Sequence, residues 1–174
     1  MATLVLGGAR SGKSAHAEGL LPDDEATYVA TARVDPADSE WTARIATHRS
    51  RRPPGWRTVE LADPFGLAPL LSSAPSGPLL VDDLATWLTA LLDDTGGWDG
   101  DVSSAVDECA RLVEAVAATR AGLVLVSAEV GLGVVPATRS GRLFRDQLGA
   151  LNASLARACT EVVLLVAGIP LRLR

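Results

Sequence analysis

The chain has 174 residues, enough for one domain with a substantial buried core, and 48% of them are hydrophobic, which excludes wholesale disorder. The net charge of −5 argues against a general nucleic-acid binder or a protein of anionic membrane surfaces, since both are usually basic. The two cysteines, Cys109 and Cys159, lack metal-type spacing, and no apolar run reaches the length of a membrane span. We therefore expect a reduced, cytoplasmic protein without a membrane span, and no signal peptide, because a strand is predicted within a few residues of Met1.

Short apolar or β-branched runs predict buried strands, and helical patterns separate most of them. The predicted strands are Leu4–Leu6, Thr27–Thr31, Arg57–Leu61, Leu79–Asp82, Leu123–Ser127 and Val162–Ala167. The predicted helices are Ser14–Leu21, Asp38–Arg51, Leu84–Leu92, Val102–Thr119 and Arg139–Arg157. In the fourth of these, the residues predicted to face the core are Val106, Ala110, Val113, Val116 and Ala117. Strands that alternate with helices indicate an α/β fold whose mainly parallel sheet is covered on both faces. The last segment, 162–174, predicts a strand pair or hairpin.

A glycine-rich loop follows the first predicted strand and fits the pattern G-x-x-x-x-G-K-[ST]. Its glycines let the backbone N–H groups point at phosphate oxygens, and the following helix adds its positive end. Lys13 supplies a mobile cation for the phosphates, and the Ser14 hydroxyl is a ligand for Mg²⁺. An ordinary glycine turn is the alternative. The predicted nucleotide-binding residues here are Gly7, Gly8, Ala9, Arg10, Ser11, Gly12, Lys13 and Ser14.

Two aspartates end the predicted strand Leu79–Asp82 and precede a predicted helix. An acidic residue at the end of a buried strand is the expected partner of the phosphate loop, and Asp82 would bind Mg²⁺ directly or through water. Aspartate also caps helices well. With Asp82 and Asp83 adjacent, one of them can cap while the other serves the metal.

A histidine followed by a run of arginines, His48-Arg49-Ser50-Arg51-Arg52, ends the second predicted helix. Neighbouring cations disfavour the protonated imidazole, and a neutral imidazole is what a nucleophile needs. The arginines also suit a polyphosphate. His48 could therefore accept a nucleotidyl group, although residue types alone favour a half-buried structural histidine. The other histidine, His16, is interpreted as structural.

The order of these motifs resembles the bifunctional adenosylcobinamide kinase / adenosylcobinamide-phosphate guanylyltransferase family of cobalamin biosynthesis. The matching stretches are GGARSGKS (7–14), YVATA (28–32), EWTARIATHRSRRPPGWRTVE (40–60), VDDLATWLTALL (81–92), SAEVGLGVVP (127–136), RLFRDQLGALNASLA (142–156) and EVVLLVAGIPLRLR (161–174). The resemblance implies a P-loop NTPase (RecA-like) three-layer fold in one domain, residues 1–174. It also implies a homotrimer with active sites at the subunit boundaries.

The same resemblance implies the site and its ligands. His48 matches the histidine that accepts GMP. The implied corrinoid substrates are adenosylcobinamide and its phosphate. The implied nucleotide is GTP with Mg²⁺, and ATP is an alternative donor for the kinase step. Positions that line the nucleotide site are Ala32, Arg33, Val34, Arg49, Ser50, Arg51, Arg52, Glu60 and Asp82. Glu60 suits the N1–H and amino group of guanine, with an exposed strand-end glutamate as the alternative. Glu129 could orient the substrate hydroxyl or a metal-bound water, or simply anchor its loop.

The chain departs from the family pattern at Asp83, where a cysteine is common, and at four polar positions near the expected corrinoid side, namely Ala85, Ala90, Ala128 and Thr138. From these departures we expect altered kinase efficiency or a preference for a different corrinoid, rather than loss of nucleotide binding. Two other functions stay open at this point: an ordinary small-molecule P-loop kinase without guanylyl transfer, and a nucleotide-sensing module without catalysis.

Overall fold

A seven-stranded sheet forms the centre of the computed structural model, which describes residues 1–22, 24–33, 52–73 and 77–174. The strands are β1 (Ala2–Gly7), β2 (Thr27–Ala30), β3 (Arg57–Glu60), β4 (Leu79–Asp82), β5 (Leu123–Ala128), β6 (Glu161–Val166) and β7 (Ile169–Arg172). The helices within these ranges are α1 (Lys13–Glu18), α2 (Leu67–Ser72), α3 (Leu84–Thr95), α4 (Ser103–Ala118) and α5 (Arg139–Ala158). Short 3₁₀ turns occupy Pro64–Gly66 and Gly97–Asp99.

The strand order is β3-β2-β4-β5-β1-β6-β7, and every neighbouring pair is parallel except β6 with β7. The predicted α/β class with a mainly parallel sheet is therefore confirmed, and the predicted terminal strand pair is a hairpin. The phosphate loop follows β1, and Asp82 ends β4, so both lie at the carboxyl edge of the sheet. Ligands of open α/β sheets bind at this edge.

Apolar clusters cover both faces of the sheet. The larger cluster packs α2, α3, α4 and α5 against one face, with the indole of Trp87 fully buried in it. The smaller cluster packs α1 against the other face through Val5, Ala17, Tyr28 and Leu80. Because α1 belongs to the smaller cluster, the face that carries Tyr28 also positions the helix after the phosphate loop. Within the described ranges, none of the helices has the length and apolar character that a membrane crossing needs.

The predicted helices need two corrections, and one predicted helix lies outside the described residues. The helix after the phosphate loop ends at Glu18 instead of Leu21, since Gly19 caps it. Helix α2 is absent from the predicted elements; its segment has only six residues and includes Pro69, which weakens a helical pattern. The predicted helix 38–51 lies outside the described residues.

The predicted core stripe of α4 is only partly correct. Val116 is buried as predicted and Val113 is half-buried against the core, but Val106 is 45% exposed and Ala110 and Ala117 are exposed too. The buried face of α4 also carries Ala105 and Leu112, which were not predicted. The cause is Glu108, which is buried on the core side and accepts a hydrogen bond from Arg111 at 2.9 Å. A charged residue on the buried face breaks the apolar pattern from which the stripe was predicted.

Candidate functional site

The phosphate loop curls between β1 and α1 in a shape that only glycine tolerates at two positions. Gly12 has φ +90°, the left-handed region that side chains disfavour. A Cβ atom at Gly7 would come within 2.3 Å of the Ser11 hydroxyl oxygen. The loop is also held from the far side of β1, because the Gly168 N–H in the β6–β7 turn donates to the Ser11 carbonyl oxygen at 3.1 Å.

Ser14 and Asp82 meet at the carboxyl edge. The Ser14 hydroxyl, in the first turn of α1, donates to Asp82 Oδ1 at 3.2 Å. A hydroxyl and a carboxylate oxygen at one point are the hard oxygen ligands that Mg²⁺ takes, with phosphates and water completing its shell. The residues present therefore fit a nucleotide-bound Mg²⁺. The described residues contain no larger cluster of three or more His, Cys, Asp or Glu side chains that could hold a metal by itself.

Lys13 stands at the first position of α1, next to these ligands. It is the only lysine in the chain, whose other basic side chains, apart from the two histidines, are all arginines. A compact ammonium on a flexible stem suits phosphates that change position during transfer, whereas the arginine fork is rigid.

The second aspartate caps a helix. Asp83 Oδ1 accepts a hydrogen bond from the Thr86 N–H at 2.8 Å, at the start of α3. Burial raises the pKa of Asp83, and the neighbouring charge of Asp82 raises it further, while the hydrogen bonds from Thr86 and the charge of Lys13 oppose the rise. The two adjacent aspartates thus have different surroundings, one at the phosphate loop and one at the helix end.

We expect Asp83→Ala to lower the free energy of unfolding by about 1 kcal/mol, because the first turn of α3 loses its cap. Asp83→Asn is the matched control, since asparagine caps as well as aspartate and should leave stability near the wild-type value. Urea unfolding of the three proteins measures the difference. An alanine variant as stable as the asparagine variant would show that the cap contributes nothing.

Tyr28 and Arg52 extend the network around Asp82. The Tyr28 hydroxyl donates to Asp82 Oδ2 at 2.7 Å, and the Arg52 guanidinium carbon lies 3.4 Å from the centroid of the Tyr28 ring. Arg52 also donates to the Thr58 hydroxyl at 3.0 Å. Burial is the largest influence on Tyr28, and together with Asp82 it raises the pKa of the phenol, so the hydroxyl stays a donor. Tyr28 is not among the predicted site residues; the one signal for it in the sequence is a polar hydroxyl on a strand predicted to be buried.

The remaining predicted nucleotide residues lie along the same edge. Ala32 and Arg33 follow β2, and Glu60 ends β3 beside Ala30, which itself pairs with Asp82. Arg33 makes an ion pair with Asp94 of α3, at 2.8 Å between Nη1 and Oδ1. That guanidinium lowers the pKa of the Asp94 carboxyl. Arg33 is thus engaged by the end of α3. The other predicted site residues lie outside the described residues: Val34, His48, Arg49, Ser50 and Arg51.

Glu129 has the anchoring contact that the sequence left as an alternative. Its Oε1 accepts the Gly131 N–H at 2.8 Å. Two of the residues at which the chain departs from the family pattern also have local structural roles. Thr138 caps α5, where its hydroxyl oxygen accepts a hydrogen bond from the Gly141 N–H at 3.1 Å. Ala90 is buried in the core. For these residues the described contacts stabilise loops, a helix end and the core.

Comparison with known proteins agrees with this arrangement of motifs. Residues 3–173 match the family model described as cobinamide kinase / cobinamide phosphate guanyltransferase. The bifunctional adenosylcobalamin biosynthesis protein CobP of Pseudomonas aeruginosa is 43% identical over 180 residues, which cover 100% of this chain and 98% of that protein. The corresponding protein CobU of Escherichia coli K12 is 40% identical over 183 residues, with 100% of both chains covered.

A solved structure of an ATPase from the type III secretion system of pathogenic bacteria is similar with a TM-score of 0.49 and 13% identity. The match covers 95% of this chain and 51% of that one, so the chain spans about half the length of the ATPase. The family model and the relatives, in contrast, cover the chain from end to end. The chain therefore belongs to the cobinamide kinase / cobinamide phosphate guanyltransferase family, whose members are bifunctional enzymes.

Proposed function

We propose that this enzyme phosphorylates adenosylcobinamide and then transfers GMP from GTP, through a GMP-histidine intermediate, to adenosylcobinamide phosphate, giving adenosylcobinamide-GDP. The observation that carries the proposal is the contact between Ser14 of the phosphate loop and Asp82 at the carboxyl edge. The family description and the names of the relatives, which are biosynthetic proteins of adenosylcobalamin, support the choice of a corrinoid substrate.

In the kinase step, the hydroxyl group of the corrinoid attacks the γ-phosphorus of the nucleoside triphosphate, and the nucleoside diphosphate leaves. Lys13 follows the phosphate oxygens as their charge shifts, and the backbone N–H groups of the loop hold them in line. Bound Mg²⁺, held by Ser14 and Asp82, would supply further charge neutralisation at the phosphates. The chain's own work is thus alignment and electrostatic stabilisation.

In the second step, the neutral imidazole of His48 attacks the α-phosphorus of GTP, a P–N bond forms and pyrophosphate leaves. The phosphate of adenosylcobinamide phosphate then attacks the same phosphorus, which breaks the P–N bond and restores the imidazole. The covalent intermediate divides one difficult displacement at phosphorus into two easier ones. The assignment of this role to His48 rests on the stretch 40–60 of the sequence, which resembles the family segment with the histidine that accepts GMP.

The nucleotide is proposed to extend along the carboxyl edge from the phosphate loop toward β3. Asp82, Ala30 and Glu60 occupy one row of paired residues on three adjacent strands. Strand spacing puts the ends of this row about 10 Å apart. Glu60 is then suited to accept hydrogen bonds from the N1–H and amino group of guanine, which would make GTP the preferred nucleotide, with ATP able to serve the kinase step.

The enzyme is further proposed to act in the cytoplasm as a homotrimer. Val166, Ile169, Leu171 and Leu173 of the terminal hairpin region are 54–70% exposed, an apolar surface suited to a subunit contact. Sedimentation equilibrium at micromolar concentration should give three chains per particle. A mass of one chain across the concentration range would contradict this assembly.

Turnover with adenosylcobinamide, GTP and Mg²⁺ tests the proposed function, with products separated by chromatography. The account predicts adenosylcobinamide phosphate first and adenosylcobinamide-GDP after it. An ordinary P-loop kinase would stop at the phosphate, and a nucleotide-sensing module would form neither product. Either of those results would reject the bifunctional assignment.

A further inference from the structure

Tyr28 carries a hydroxyl group into a cluster that is otherwise apolar. The residue is 2% exposed and packs among Val5, Ala17 and Leu80. A phenylalanine would fill the same volume, and burying a hydroxyl is unfavourable unless it makes a hydrogen bond. The bond that it makes is to Asp82 Oδ2 at 2.7 Å. The hydroxyl therefore serves Asp82 more than it serves packing.

The sheet register explains how the ring reaches the carboxylate. Strands β2 and β4 are parallel neighbours, with Tyr28 beside Leu80 and Ala30 beside Asp82. Residues two apart on a strand share a face, so Tyr28 and Asp82 are diagonal neighbours within reach of an aromatic side chain. Ser14 binds Oδ1 and Tyr28 binds Oδ2, so both carboxylate oxygens are oriented.

The guanidinium group of Arg52 lies against the face of the Tyr28 ring. Its guanidinium carbon lies 3.4 Å from the ring centroid, the geometry of a cation–π contact. Nη1 is bound by Thr58, while Nε is buried and makes no hydrogen bond within the described part of the chain. One aromatic side chain therefore contacts a carboxylate suited to Mg²⁺ and a cation suited to phosphate.

We propose that Tyr28 is a positioning residue that fixes the Asp82 carboxylate through its hydroxyl and the Arg52 guanidinium through its ring, so that the metal ligand and the phosphate-binding cation are set together. This inference rests on the proposed use of the phosphate loop for a magnesium nucleotide. It assigns one function to the hydroxyl and another to the ring. Tyr28→Phe removes the hydroxyl alone, and Tyr28→Leu removes both, so the comparison of the two variants isolates the ring.

The hydroxyl is tested with Tyr28→Phe, by calorimetric titration of α,β-methylene GTP, which cannot release pyrophosphate, over a series of Mg²⁺ concentrations. Loss of a group that orients a metal ligand weakens metal binding by about tenfold or more. We expect the variant to need about tenfold more Mg²⁺ for half-maximal binding, with its affinity in EDTA unchanged. An unchanged Mg²⁺ requirement would overturn the role of the hydroxyl.

Trp56→Phe is the matched control for simple loosening of the structure. Trp56 lies in the same apolar cluster, and its indole N–H donates to the Pro22 carbonyl oxygen at 2.9 Å. This variant loses a buried aromatic hydrogen bond in the same cluster, and we expect no change in its Mg²⁺ requirement. A shift equal to that of Tyr28→Phe would mean that the tyrosine acts through packing, which overturns the proposal.

The ring is tested by a double-mutant cycle with Arg52→Met in the same binding assay at saturating Mg²⁺. Tyr28→Leu and Arg52→Met should be non-additive by about threefold in affinity, the size of an ordinary cation–π contact. Tyr28→Phe and Arg52→Met should be clearly less non-additive than this, because phenylalanine keeps the ring and loses only the interaction of the hydroxyl with Arg52. Additivity with both tyrosine variants would overturn the role of the ring.

The proposed function and this inference fail in different ways. Wild-type protein that binds the nucleotide with a Mg²⁺ requirement equal to that of Tyr28→Phe overturns this inference alone. Wild-type protein without any Mg²⁺-dependent nucleotide binding overturns both. Missing guanylyl transfer in wild-type protein that still shows the Tyr28 effects rejects the bifunctional assignment and leaves the positioning role intact.

Discussion

The His48→Ala variant is expected to form no covalent GMP adduct and no adenosylcobinamide-GDP, while it continues to phosphorylate adenosylcobinamide. The reason is chemical: only the guanylyl step needs a side-chain nucleophile, whereas phosphoryl transfer needs alignment and charge at the phosphate loop. Incubation with α-labelled GTP, followed by gel separation under alkaline conditions, measures the adduct. Chromatography of the corrinoid products measures both activities.

His16→Ala is the matched control, since His16 of α1 is the other histidine in the chain. It should retain both the adduct and both products. Equal loss of phosphorylation and guanylyl transfer in His48→Ala would argue against the division of labour. An adduct that persists in His48→Ala and disappears in His16→Ala would show that the nucleophile is His16 and not His48.

The Lys13→Met variant is expected to lose about a thousandfold in both reactions. Removing one preorganised charge-stabilising group from a transition state costs a factor of roughly 100 to 1,000, and methionine keeps the length of the side chain without its charge. We expect both reactions to decline together because the proposed function uses the same phosphate loop for the nucleotide of each reaction. The comparison is made between the initial rates at which adenosylcobinamide phosphate and adenosylcobinamide-GDP form, measured separately.

Lys13→Arg serves as the control for charge alone. Arginine restores the positive charge with a rigid fork, so we expect partial recovery of the phosphoryl step.

Because Lys13 is the only lysine, an amine-reactive acylating reagent modifies one side chain apart from the N-terminus. Magnesium GTP should protect that side chain. Near wild-type guanylyl transfer by Lys13→Met would show that the two reactions use different nucleotide sites.

The central strands β1, β4 and β5 were predictable from sequence because they are short, apolar and buried on both faces. The phosphate loop, too, is a local pattern: eight consecutive residues between a strand and a helix carry it. The phase of α4 was not predictable, since it depends on Glu108 being buried among apolar residues. Local composition does not show that a carboxylate finds its partner, Arg111, within the same helix.

The contacts around Asp82 were not predictable for a different reason. Tyr28 and Asp82 are 54 residues apart, and Arg33 and Asp94 are 61 apart. Both contacts depend on β2 lying beside β4, an order of strands that differs from the order along the chain. The sequence identifies which residues are suited to the chemistry, whereas strand order decides which of them meet.

The GMP-histidine intermediate can be detected by tandem mass spectrometry of the wild-type protein after exposure to GTP and Mg²⁺, without corrinoid. We expect one GMP per chain, joined to the imidazole of His48 and released by adenosylcobinamide phosphate. Protein that binds magnesium GTP yet carries no GMP on that imidazole would contradict the account.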